Sequence, residues 1–403
     1  MTTLHRPEEL DTATAHLARK LAPVLMLDSG EPFAPDTVGV TRLSVGEPSP
    51  SCPHIPTGPN GTSCVLEFAI WWAGDTPHNY DLEHIWIAVD ADGNGLSVSA
   101  SAHGGVIDLP DAEWTDGRPV IYGVPGKRMF ASTPDAIKAL RCTSASEEDA
   151  TGILMNGMFA AQLSFVTPYD QFLVREDLRS LRPTPTFEFT RVAPLNEARF
   201  VSWDELALEI PRIIRDQCED LRSRRRGLKA VFLDSGDTLI NEMTEVFDPH
   251  HDGLVLSAEP IDGALDLMEA LRGRVPTALV ADGRVESFRN VHGALGFYDY
   301  FDARAISETV GVTKPHPLMF IDAMRKLGLR REDASGILMV GNNLHRDIRG
   351  ARRLGIGTVW LNWNDRYDRT SQDPMDKADH EVRTPREVLA LIESELAASG
   401  FAD

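Results

Sequence analysis

The stretch "VFLDSGDTLI", residues 231–240, decides how the second half of the chain folds. A short hydrophobic run ends on Asp234, and Gly236, Asp237 and Thr238 lie just beyond it. Small and polar residues of this kind end a buried strand and open a turn. The stretch therefore predicts a core strand that presents a carboxylate at its carboxyl end.

Strands and helices are predicted to alternate from residue 229 onward. The predicted strands are the hydrophobic runs "KAVFL" (229–233), "TALVA" (277–281), "ARAIS" (303–307), "GILMV" (336–340) and "TVWLNW" (358–363). The predicted helices cover residues 261–272, 285–295, 316–327, 346–354 and 385–397. Such alternation with short connections is typical of a doubly wound α/β fold with a parallel sheet. Functional groups in that fold collect at the carboxyl ends of the strands.

Residues 1–202 have the pattern of an all-β domain, which we predict to be an antiparallel β-sandwich. β-branched and aromatic runs such as "CVLEFAIWW" (64–72) are interrupted by Gly, Asp, Asn and Pro. The segment "VDADGNGLSV" (89–98) predicts a hairpin that turns at "DGNG". In this half, helices are predicted for the first 20 residues and for residues 133–142.

A helical segment separates the two patterns. Residues 203–228 carry apolar residues at helical spacing, interrupted by Pro211. We predict that this segment links the β-rich domain, residues 1–202, to the α/β domain, residues 229–403.

The charge balance restricts the classes of partner. The sequence has 40 Lys and Arg residues against 61 Asp and Glu residues, a formal net charge of −21. Such an acidic chain is a poor match for sequence-independent binding to nucleic acid or for docking on anionic lipid. The expected partner is therefore a small-molecule substrate, with no nucleic acid.

The sequence also predicts a compartment. No run of about 18 apolar residues is present, so no membrane span is expected. The polar, amphipathic N-terminal segment does not resemble a signal peptide. Four cysteines without a CxxC spacing are expected to be free thiols, although a Cys52–Cys64 disulfide stays open. We expect a cytoplasmic protein.

Charged and amide side chains follow the predicted strands of the α/β domain. In chain order they are Asp234 and Asp237, Asp282, Lys314, and then Asn342, Asn343 and Asp347. Carboxylates bind Mg²⁺, and a lysine neutralises phosphate oxygens, so the set suits an anionic substrate. Asp234 is placed to act as a nucleophile that forms an aspartyl-phosphate.

This half resembles the haloacid dehalogenase-like (HAD) superfamily over residues 229–397. The resemblance rests on four motifs in the expected order, "VFLDSGDTL", "LVADG", "GVTKPHPLMF" and "MVGNNLHRDIRGARRLGI". It implies Asp234 as the nucleophile, Lys314 as the phosphate-neutralising lysine and Asp347 as an acidic residue of a Mg²⁺ site. The substrate-binding positions would be Thr238, Ala281, Asp282 and Asn343.

Three positions depart from the family pattern. Phosphatases of the family use a second aspartate, two residues after the nucleophile, as general acid and base, and here Gly236 stands there. Ala281 replaces the usual Ser or Thr that holds phosphate, and Asn342 replaces the first acidic residue of the fourth motif. The family binds metal through the backbone carbonyl at the position of Gly236, so Gly236 and Asn342 stay candidate ligands. Asp237 is the candidate for the missing acid–base role.

The interval between the first two motifs leaves no room for a large cap domain. The segment "NEMTEVFDPHHDGLVLSAEP" (241–260) and one helix fill it. We therefore expect a minimal cap, with His250, His251 and Asp252 in a polar loop that could approach the site.

The stretch "PHNYDLEHIWIAVD" (77–90) carries the candidate chemistry of the β-rich half. On a strand, Asp81 and Glu83 face one side while His84 and Trp86 face the other. An imidazole and two carboxylates at this spacing suit a hard divalent ion such as Mg²⁺, Ca²⁺ or Mn²⁺. An exposed strand carrying charges explains the same spacing, and spacing alone favours that alternative.

A second resemblance supports the metal site. Residues 65–130 resemble the β-sandwich of the necrosis-inducing toxins and of the vacuolar-sorting-protein-62-like proteins. The resemblance rests on "HNYDLEHIWI", "SASAHGG" and "RPVIYGVPGKRMF". It implies His78, Asp81, Glu83 and His103 as ligands of a divalent ion. Asp75 is a further candidate.

The sequence thus favours Mg²⁺-dependent hydrolysis of a phosphorylated small molecule through Asp234, with an incomplete motif set. Three alternatives stay open. Asp234 could carry a different reaction, including dehalogenation, since some members of the family that break carbon–phosphorus or carbon–halogen bonds also lack the second aspartate. The HAD-like half could be a binding or scaffold domain without turnover. The active site could instead lie in the β-rich half, at His78, Asp81 and Glu83.

Overall fold

The computed structural model describes residues 9–32, 34, 35, 37–72, 78–102, 105–126, 129–139, 150–155, 158–181, 184–371 and 373–401. The chain packs as two compact units. The first contains residues 1–164 and 174–219, and the second contains residues 165–173 and 220–403. Each unit is described by itself below.

The elements up to residue 224 are mainly strands. The strands are β1 (Val24–Leu27), β2 (Thr37–Leu43), β3 (Cys64–Trp72), β4 (Asp81–Val89), β5 (Gly95–Ala102), β6 (Gly105–Asp108), β7 (Trp114–Thr115), β8 (Arg118–Gly123), β9 (Phe130–Ala131), β10 (Arg191–Pro194) and β11 (Arg199–Ser202). The helices are α1 (Thr12–Leu21), α2 (Pro134–Ala139), α3 (Pro168–Leu181) and α4 (Trp203–Arg224). In sequence, α3 and α4 each cross from one unit to the other.

The strands of the first unit form two sheets. One has the order β10-β1-β8-β7 with β9 beside β8, and the other has the order β11-β2-β3-β4-β5-β6. Both sheets contribute to one core, in which Leu25 and Ile121 of the first sheet join Phe68 and Ile85 of the second. All nine residues of β3 are buried, so this strand is covered on both faces.

Most strand pairs of this unit are antiparallel, as predicted. The hairpin β4–β5 forms around the expected turn, where the Asp90 side chain accepts hydrogen bonds from the backbone amides of Asp92 and Asn94. Two pairs, β1 with β8 and β2 with β11, are parallel. Alternating hydrophobicity identifies a strand but not its partner, so the sequence did not reveal these parallel pairs.

Helix α3 was missed by the sequence analysis. Its first turn has a reciprocal cap, in which Asp170 N donates to Thr167 Oγ1 (3.2 Å) and Thr167 N donates to Asp170 Oδ2 (2.9 Å). A Thr followed three residues later by an acidic residue is a helix-start signal, so the information was present. Helix α4 also continues through Pro211, where an interruption was predicted.

The second unit is built on a six-stranded parallel sheet. The strands of the whole unit are β12 (Arg225–Arg226), β13 (Ala230–Leu233), β14 (Ile240–Phe247), β15 (Val255–Pro260), β16 (Thr277–Ala281), β17 (Ala303–Ile306), β18 (Ile337–Gly341), β19 (Gly357–Leu361), β20 (His380–Val382) and β21 (Gly400–Phe401). Its helices are α5 (Ala264–Leu271), α6 (Val285–Ala294), α7 (Ser307–Val310), α8 (Pro317–Leu327), α9 (Arg349–Arg352) and α10 (Pro385–Ala397), with a π-helical turn at Leu344–Ile348. The sheet order is β17-β16-β13-β18-β19-β20.

The predicted α/β pattern is confirmed in this unit. Every neighbouring pair in the six-stranded sheet is parallel. β13 lies in the middle, with all four of its residues buried between β16 and β18. Asp234 directly follows β13. It therefore lies beside the carboxyl ends of the two neighbouring strands, β16 and β18.

The segment predicted as a polar loop forms an antiparallel hairpin, β14–β15. The hairpin follows the first strand of the sheet directly, and His250 and His251 lie in its exposed turn. There His251 Nδ1 lies 3.1 Å from Asp248 Oδ2. No helix in the described part of the chain has the length and apolar character that a membrane span requires.

A buried ion pair joins the two sequence segments of the second unit. Arg222 Nε lies 2.8 Å from Asp170 Oδ1, with 11% and 3% of the two side chains exposed. The same guanidinium donates to Thr167 Oγ1 (3.0 Å) and to the carbonyl oxygen of Gly328 (2.9 Å). Asp170 thus compensates a buried cation and caps α3.

We predict that Asp170→Ala lowers the free energy of unfolding by about 3–5 kcal/mol, because it leaves the buried Arg222 without its counter-ion. Urea unfolding of the full chain measures this loss. Asp220→Ala is the matched control, since the Arg224–Asp220 pair is exposed, and it should cost less than about 1 kcal/mol. Equal losses of unfolding free energy in the two variants would show that the buried ion pair contributes no more to stability than the exposed pair.

Candidate active site

The site at the carboxyl ends of β13 and β18 is organised by a buried lysine. Lys314 Nζ lies 2.6 Å from Asp234 Oδ1 and 2.7 Å from Asp347 Oδ1. The lysine and Asp347 side chains are almost fully buried, while 14% of the Asp234 side chain is exposed. The ammonium group therefore joins two carboxylates and leaves Asp234 as the one that solvent can reach.

Burial and charge shift the pKa values of this trio. Burial alone would lower the pKa of Lys314, but the carboxylates of Asp234 and Asp347 raise it, so the ammonium form is held. Burial, followed by the charge of Asp234, raises the pKa of Asp347 to about 6, and Lys314 opposes this shift. The trio itself contains one ammonium group and two carboxyl groups.

A glycine permits Asp347 to approach the strand. A Cβ built at Gly341 would lie 2.5 Å from Cγ and 2.6 Å from Cβ of Asp347, closer than side-chain atoms can approach. Asp347 Oδ2 also accepts a hydrogen bond from the amide of Asn343 (3.0 Å). The "GNN" sequence after β18 therefore fixes this carboxylate beside Lys314.

Asp282 directly follows β16 and binds two other residues of the site. Its Oδ1 accepts the backbone amide of Lys314 (3.0 Å), and its Oδ2 forms an ion pair with Arg346. Arg346 remains 40% exposed. This guanidinium places a second cation at the site, although the sequence analysis did not select it.

Beside these groups lies a small polar pocket of about 30 Å³. The pocket is lined by residues from the loop after β13, the hairpin, the end of β16, α6, the segment after β18 and the loop after β19: Asp234, Ser235, Gly236, Glu242, Ala281, Asp282, Phe288, Asn342, Asn343, Arg346 and Tyr367. Its size suits a small anionic group better than a large organic ligand.

Glu242 of the hairpin is another residue that the sequence analysis did not select. Its Oε2 accepts a hydrogen bond from the Tyr367 hydroxyl (2.9 Å) and lies 3.0 Å from Arg366 Nη2. Burial raises the pKa of Glu242, and the Tyr367 hydrogen bond opposes the shift. The sequence signal was an acidic residue eight positions after Asp234, which became meaningful only once the hairpin was known.

Asp237 and Thr238 lie in the turn that leads into the hairpin. Asp237 is fully buried with φ of 48°, and its Oδ1 accepts the amide of Glu242 (3.1 Å). Thr238 is buried as well, with 1% of its surface exposed. Neither residue is among those that line the pocket. Their predicted roles in catalysis and substrate binding stay predictions.

The remaining predicted positions of this half do line the pocket. Ala281 and Asn342 are buried there, and the Trp360 indole nitrogen donates to the Asn342 carbonyl oxygen (2.9 Å). The Asn343 side chain accepts the amides of His345 and Arg346, so it caps the following turn. Tertiary structure thus brings Ala281, Asn342 and Asn343 to the pocket that Asp234 also lines.

The donor set fits a hard divalent cation. Asp234 and Asp347 supply carboxylate oxygens, and the single Lys314 ammonium balances one of their two charges when both are ionised. Backbone and amide oxygens at Gly236 and Asn342 could complete such a site, as predicted. Among the described residues, no group of three or more His, Cys, Asp or Glu side chains is placed to hold a metal ion.

The predicted metal residues of the first unit are only partly described. Glu83 is buried and accepts a hydrogen bond from Ser101 Oγ, while Asp81 begins β4 and is half-buried. His78 forms an isolated parallel bridge with Gly152. His103 and Asp75 lie outside the described residues. The second metal site stays a prediction.

The opposite side of β4 carries a buried polar network. His84 Nε2 lies 2.9 Å from Ser51 Oγ, and Ser51 donates to Glu67 Oε1 (2.6 Å). Trp86 Nε1 donates to Glu67 Oε2 (2.7 Å). Burial lowers the pKa of His84 to about 4, so this imidazole is neutral near pH 7. The network satisfies core polar groups on the face where His84 and Trp86 were predicted.

A buried histidine contacts the loop that follows β13. His292 of α6 lies with its Nε2 2.9 Å from Ser235 Oγ, one residue after Asp234. Its ring packs against Phe297 (4.7 Å between centroids) and Phe288 (5.6 Å). Burial lowers the pKa of His292 to about 3, so the folded protein holds it neutral.

We predict that His292 makes the protein acid-sensitive. Because its pKa is lower in the folded state than the usual 6.5, its contribution to stability is complete above pH 6.5 and is lost as pH falls toward 3. His292→Gln should reduce the pH slope of the unfolding free energy, by up to about 1.4 kcal/mol per pH unit. Ser235→Ala is the control, since it removes the contact but keeps the buried histidine. An unchanged slope in His292→Gln would refute the assignment.

A family model and several curated proteins match part of this chain. A family model described as a haloacid dehalogenase-like hydrolase matches residues 169–355. The glyceraldehyde 3-phosphate phosphatase of Methanopyrus kandleri is 41% identical over 98 residues, which are 24% of this chain and 41% of that protein. The pyrimidine 5'-nucleotidase YjjG of Escherichia coli is 34% identical over 127 residues, which are 31% of this chain and 50% of that protein.

Among solved structures, the magnesium-bound HAD-hydrolase YfnB of Bacillus subtilis covers 41% of this chain and 99% of its own, at 16% identity and a TM-score of 0.34. The chain spans about half the length, or less, of the two curated relatives. The family match covers the part of the sequence that contains the four motifs. The C-terminal part of the chain therefore contains a haloacid dehalogenase-like hydrolase domain.

Proposed function

We propose that this protein is a Mg²⁺-dependent phosphohydrolase that acts on a phosphorylated small molecule through Asp234. The observation that carries the proposal is the Lys314 ammonium, which joins the Asp234 and Asp347 carboxylates beside the polar pocket. The two relatives described above support it, since both are named for hydrolysis of small phosphorylated compounds.

The first step would form a bond between Asp234 and the phosphorus of the substrate. Asp234 is the carboxylate of the trio that solvent reaches, so an anionic group entering the pocket meets it first. Lys314 would neutralise charge on the phosphoryl oxygens, and its burial strengthens that interaction. The bond between phosphorus and the leaving-group oxygen would break. Water would later release phosphate from Asp234.

Arg346 would supply the anion-binding group that this chain lacks at Ala281, where the family pattern has Ser or Thr. A partly exposed guanidinium held by Asp282 suits bidentate binding of a phosphate or a carboxylate. Phe288 lines the same pocket and limits its width. We therefore propose a compact substrate whose phosphoryl group lies between Lys314 and Arg346.

Asp234, Asp347, the Asn342 side chain and the Gly236 carbonyl would hold Mg²⁺. When bound, the ion would supply positive charge to the carboxylate pair and to a phosphoryl oxygen. The residue that carries the nucleophilic oxygen remains Asp234.

For the first unit we propose a β-sandwich, because its two sheets share one core. A divalent ion at His78, Asp81, Glu83 and His103 remains a proposal that rests on the sequence resemblance. A cytoplasmic location and the three-part division into residues 1–202, 203–228 and 229–403 are likewise proposals from the sequence.

The first experiment measures phosphate release from a broad panel of phosphorylated metabolites with Mg²⁺, comparing the wild type with Asp234→Asn. We expect release from at least one compound by the wild type and only background release by Asp234→Asn, because the amide is not a nucleophile. Asp252→Asn, on the exposed turn of the hairpin, is the matched control and should retain wild-type activity.

Absence of release by the wild type, or equal release by both proteins, would refute the proposed function. The first outcome would favour a binding or scaffold domain. The second would place the reaction elsewhere, and His78→Ala would then test the β-rich unit.

A further inference from the structure

The space above Gly236 is already filled by another residue of the chain. A Cβ built on Gly236 would overlap the carboxylate of Glu242, lying 2.7 Å from its Cδ and 2.9 Å from its Cγ. No side chain fits at position 236 while Glu242 keeps this position. The glycine therefore makes room for a carboxylate that reaches the site from the hairpin.

Contacts on three sides hold the Glu242 carboxylate in place. Tyr367 and Arg366 both contact Oε2, at 2.9 Å and 3.0 Å, so Oε1 is the oxygen directed at Gly236. Asp237 Oδ1 accepts the Glu242 backbone amide, which fixes the start of the side chain. About 20% of the Glu242 side chain is exposed, so one part of it remains open to the pocket.

The other pocket-lining carboxylates already have different tasks. Asp234 pairs with Lys314 and is the proposed nucleophile. Asp282 accepts the Lys314 backbone amide and pairs with Arg346. Hydrolysis through an aspartyl-phosphate also needs a group that gives a proton to the leaving oxygen and later takes one from water. Glu242 is the third pocket-lining carboxylate among the described residues; its Oε2 binds Tyr367 and Arg366, and its Oε1 is directed at Gly236.

We propose that Glu242 is the general acid and general base of this site, supplied by the hairpin in place of a side chain at Gly236. The inference rests on the proposed function and deepens it. In the first half-reaction, Asp234 bonds to phosphorus, the bond from phosphorus to the leaving oxygen breaks, and that oxygen takes the Glu242 proton.

In the second half-reaction, the Glu242 carboxylate takes a proton from water as the water oxygen bonds to phosphorus. The bond from phosphorus to Asp234 breaks, and inorganic phosphate leaves. Asp234 is a carboxylate again and Glu242 is protonated again, so the net change is one phosphate ester and one water converted to an alcohol and phosphate.

The proposal gives Asp237 a different role from the one predicted. Its carboxylate is fully buried and binds the Glu242 amide, and its carbonyl oxygen accepts the Trp363 indole N–H (2.7 Å). Asp237 is thus a positioning residue that holds the turn from which Glu242 projects.

The test compares leaving groups in the wild type and in Glu242→Gln, which keeps the size and the Tyr367 contact. With an alkyl phosphate from the active panel, Glu242→Gln should lower turnover about 10²–10⁴-fold. With 4-nitrophenyl phosphate, whose leaving group departs without a proton, it should give a burst of one nitrophenol per enzyme and then slow turnover. Phosphorylated protein should accumulate and be detectable by mass spectrometry.

Two controls separate the role from a structural one. Glu245→Gln lies on the same strand and should stay within about threefold of the wild type, well below the loss expected for an acid–base group. Asp234→Asn should give neither the burst nor the phosphorylated protein. An unchanged melting temperature of Glu242→Gln confirms that the fold is intact.

A swap of the two positions provides an independent test. Gly236→Asp alone should lose activity, since its side chain overlaps Glu242. Gly236→Asp combined with Glu242→Ala should recover alkyl phosphate turnover at least about tenfold over Glu242→Ala, because a carboxylate again reaches the site. Equal activity of that double variant and Glu242→Ala would contradict the proposal.

Failure of the inference is distinct from failure of the proposed function. A wild type that is active, with Asp234→Asn inactive and Glu242→Gln within threefold of the wild type, would overturn the role of Glu242 alone. Equal slowing of alkyl and aryl phosphates in Glu242→Gln, without a burst, would also overturn it. A wild type without any phosphate release would overturn both.

Discussion

The second unit depends on one constraint, the burial of the Lys314 ammonium between two carboxylates. A buried cation without counter-ions is costly, and Asp347, which is fully buried, would be equally costly without the lysine. The parallel sheet resolves this problem by bringing the ends of β13 and β18 side by side. Gly341 removes the side chain that would keep Asp347 away. Much of the charge in the site is thus balanced internally, and Asp234 is left facing the pocket.

A second layer covers this arrangement and comes from two segments that follow strands. The hairpin β14–β15 supplies Glu242, and the loop after β19 supplies Trp363, Arg366 and Tyr367, which bind the hairpin and its turn. The layer occupies the space that a longer residue at position 236 would need. The change to glycine and the presence of Glu242 are therefore one structural feature, not two independent departures from the family pattern.

The first unit buries a network of polar side chains on the face of β4 opposite the predicted metal ligands Asp81 and Glu83. Glu67 is fully buried and accepts hydrogen bonds from Ser51 and Trp86, while His84 is neutral because burial opposes its charged form. In the fold they satisfy one another across strands, which is the usual condition for burying polar groups.

The sequence by itself determined the α/β pattern, the buried strand that begins "VFLDSGDTLI" and the groups that follow the strand ends. These follow from local rules, since hydrophobic period and strand–helix alternation depend on residues close together in the chain. It also showed that Gly236 could not act as an acid or base. Only the tertiary structure decided which residue fills that space. Glu242, Arg346 and Tyr367 reach the pocket through a hairpin and loops whose paths depend on contacts between distant segments, and no local pattern encodes them.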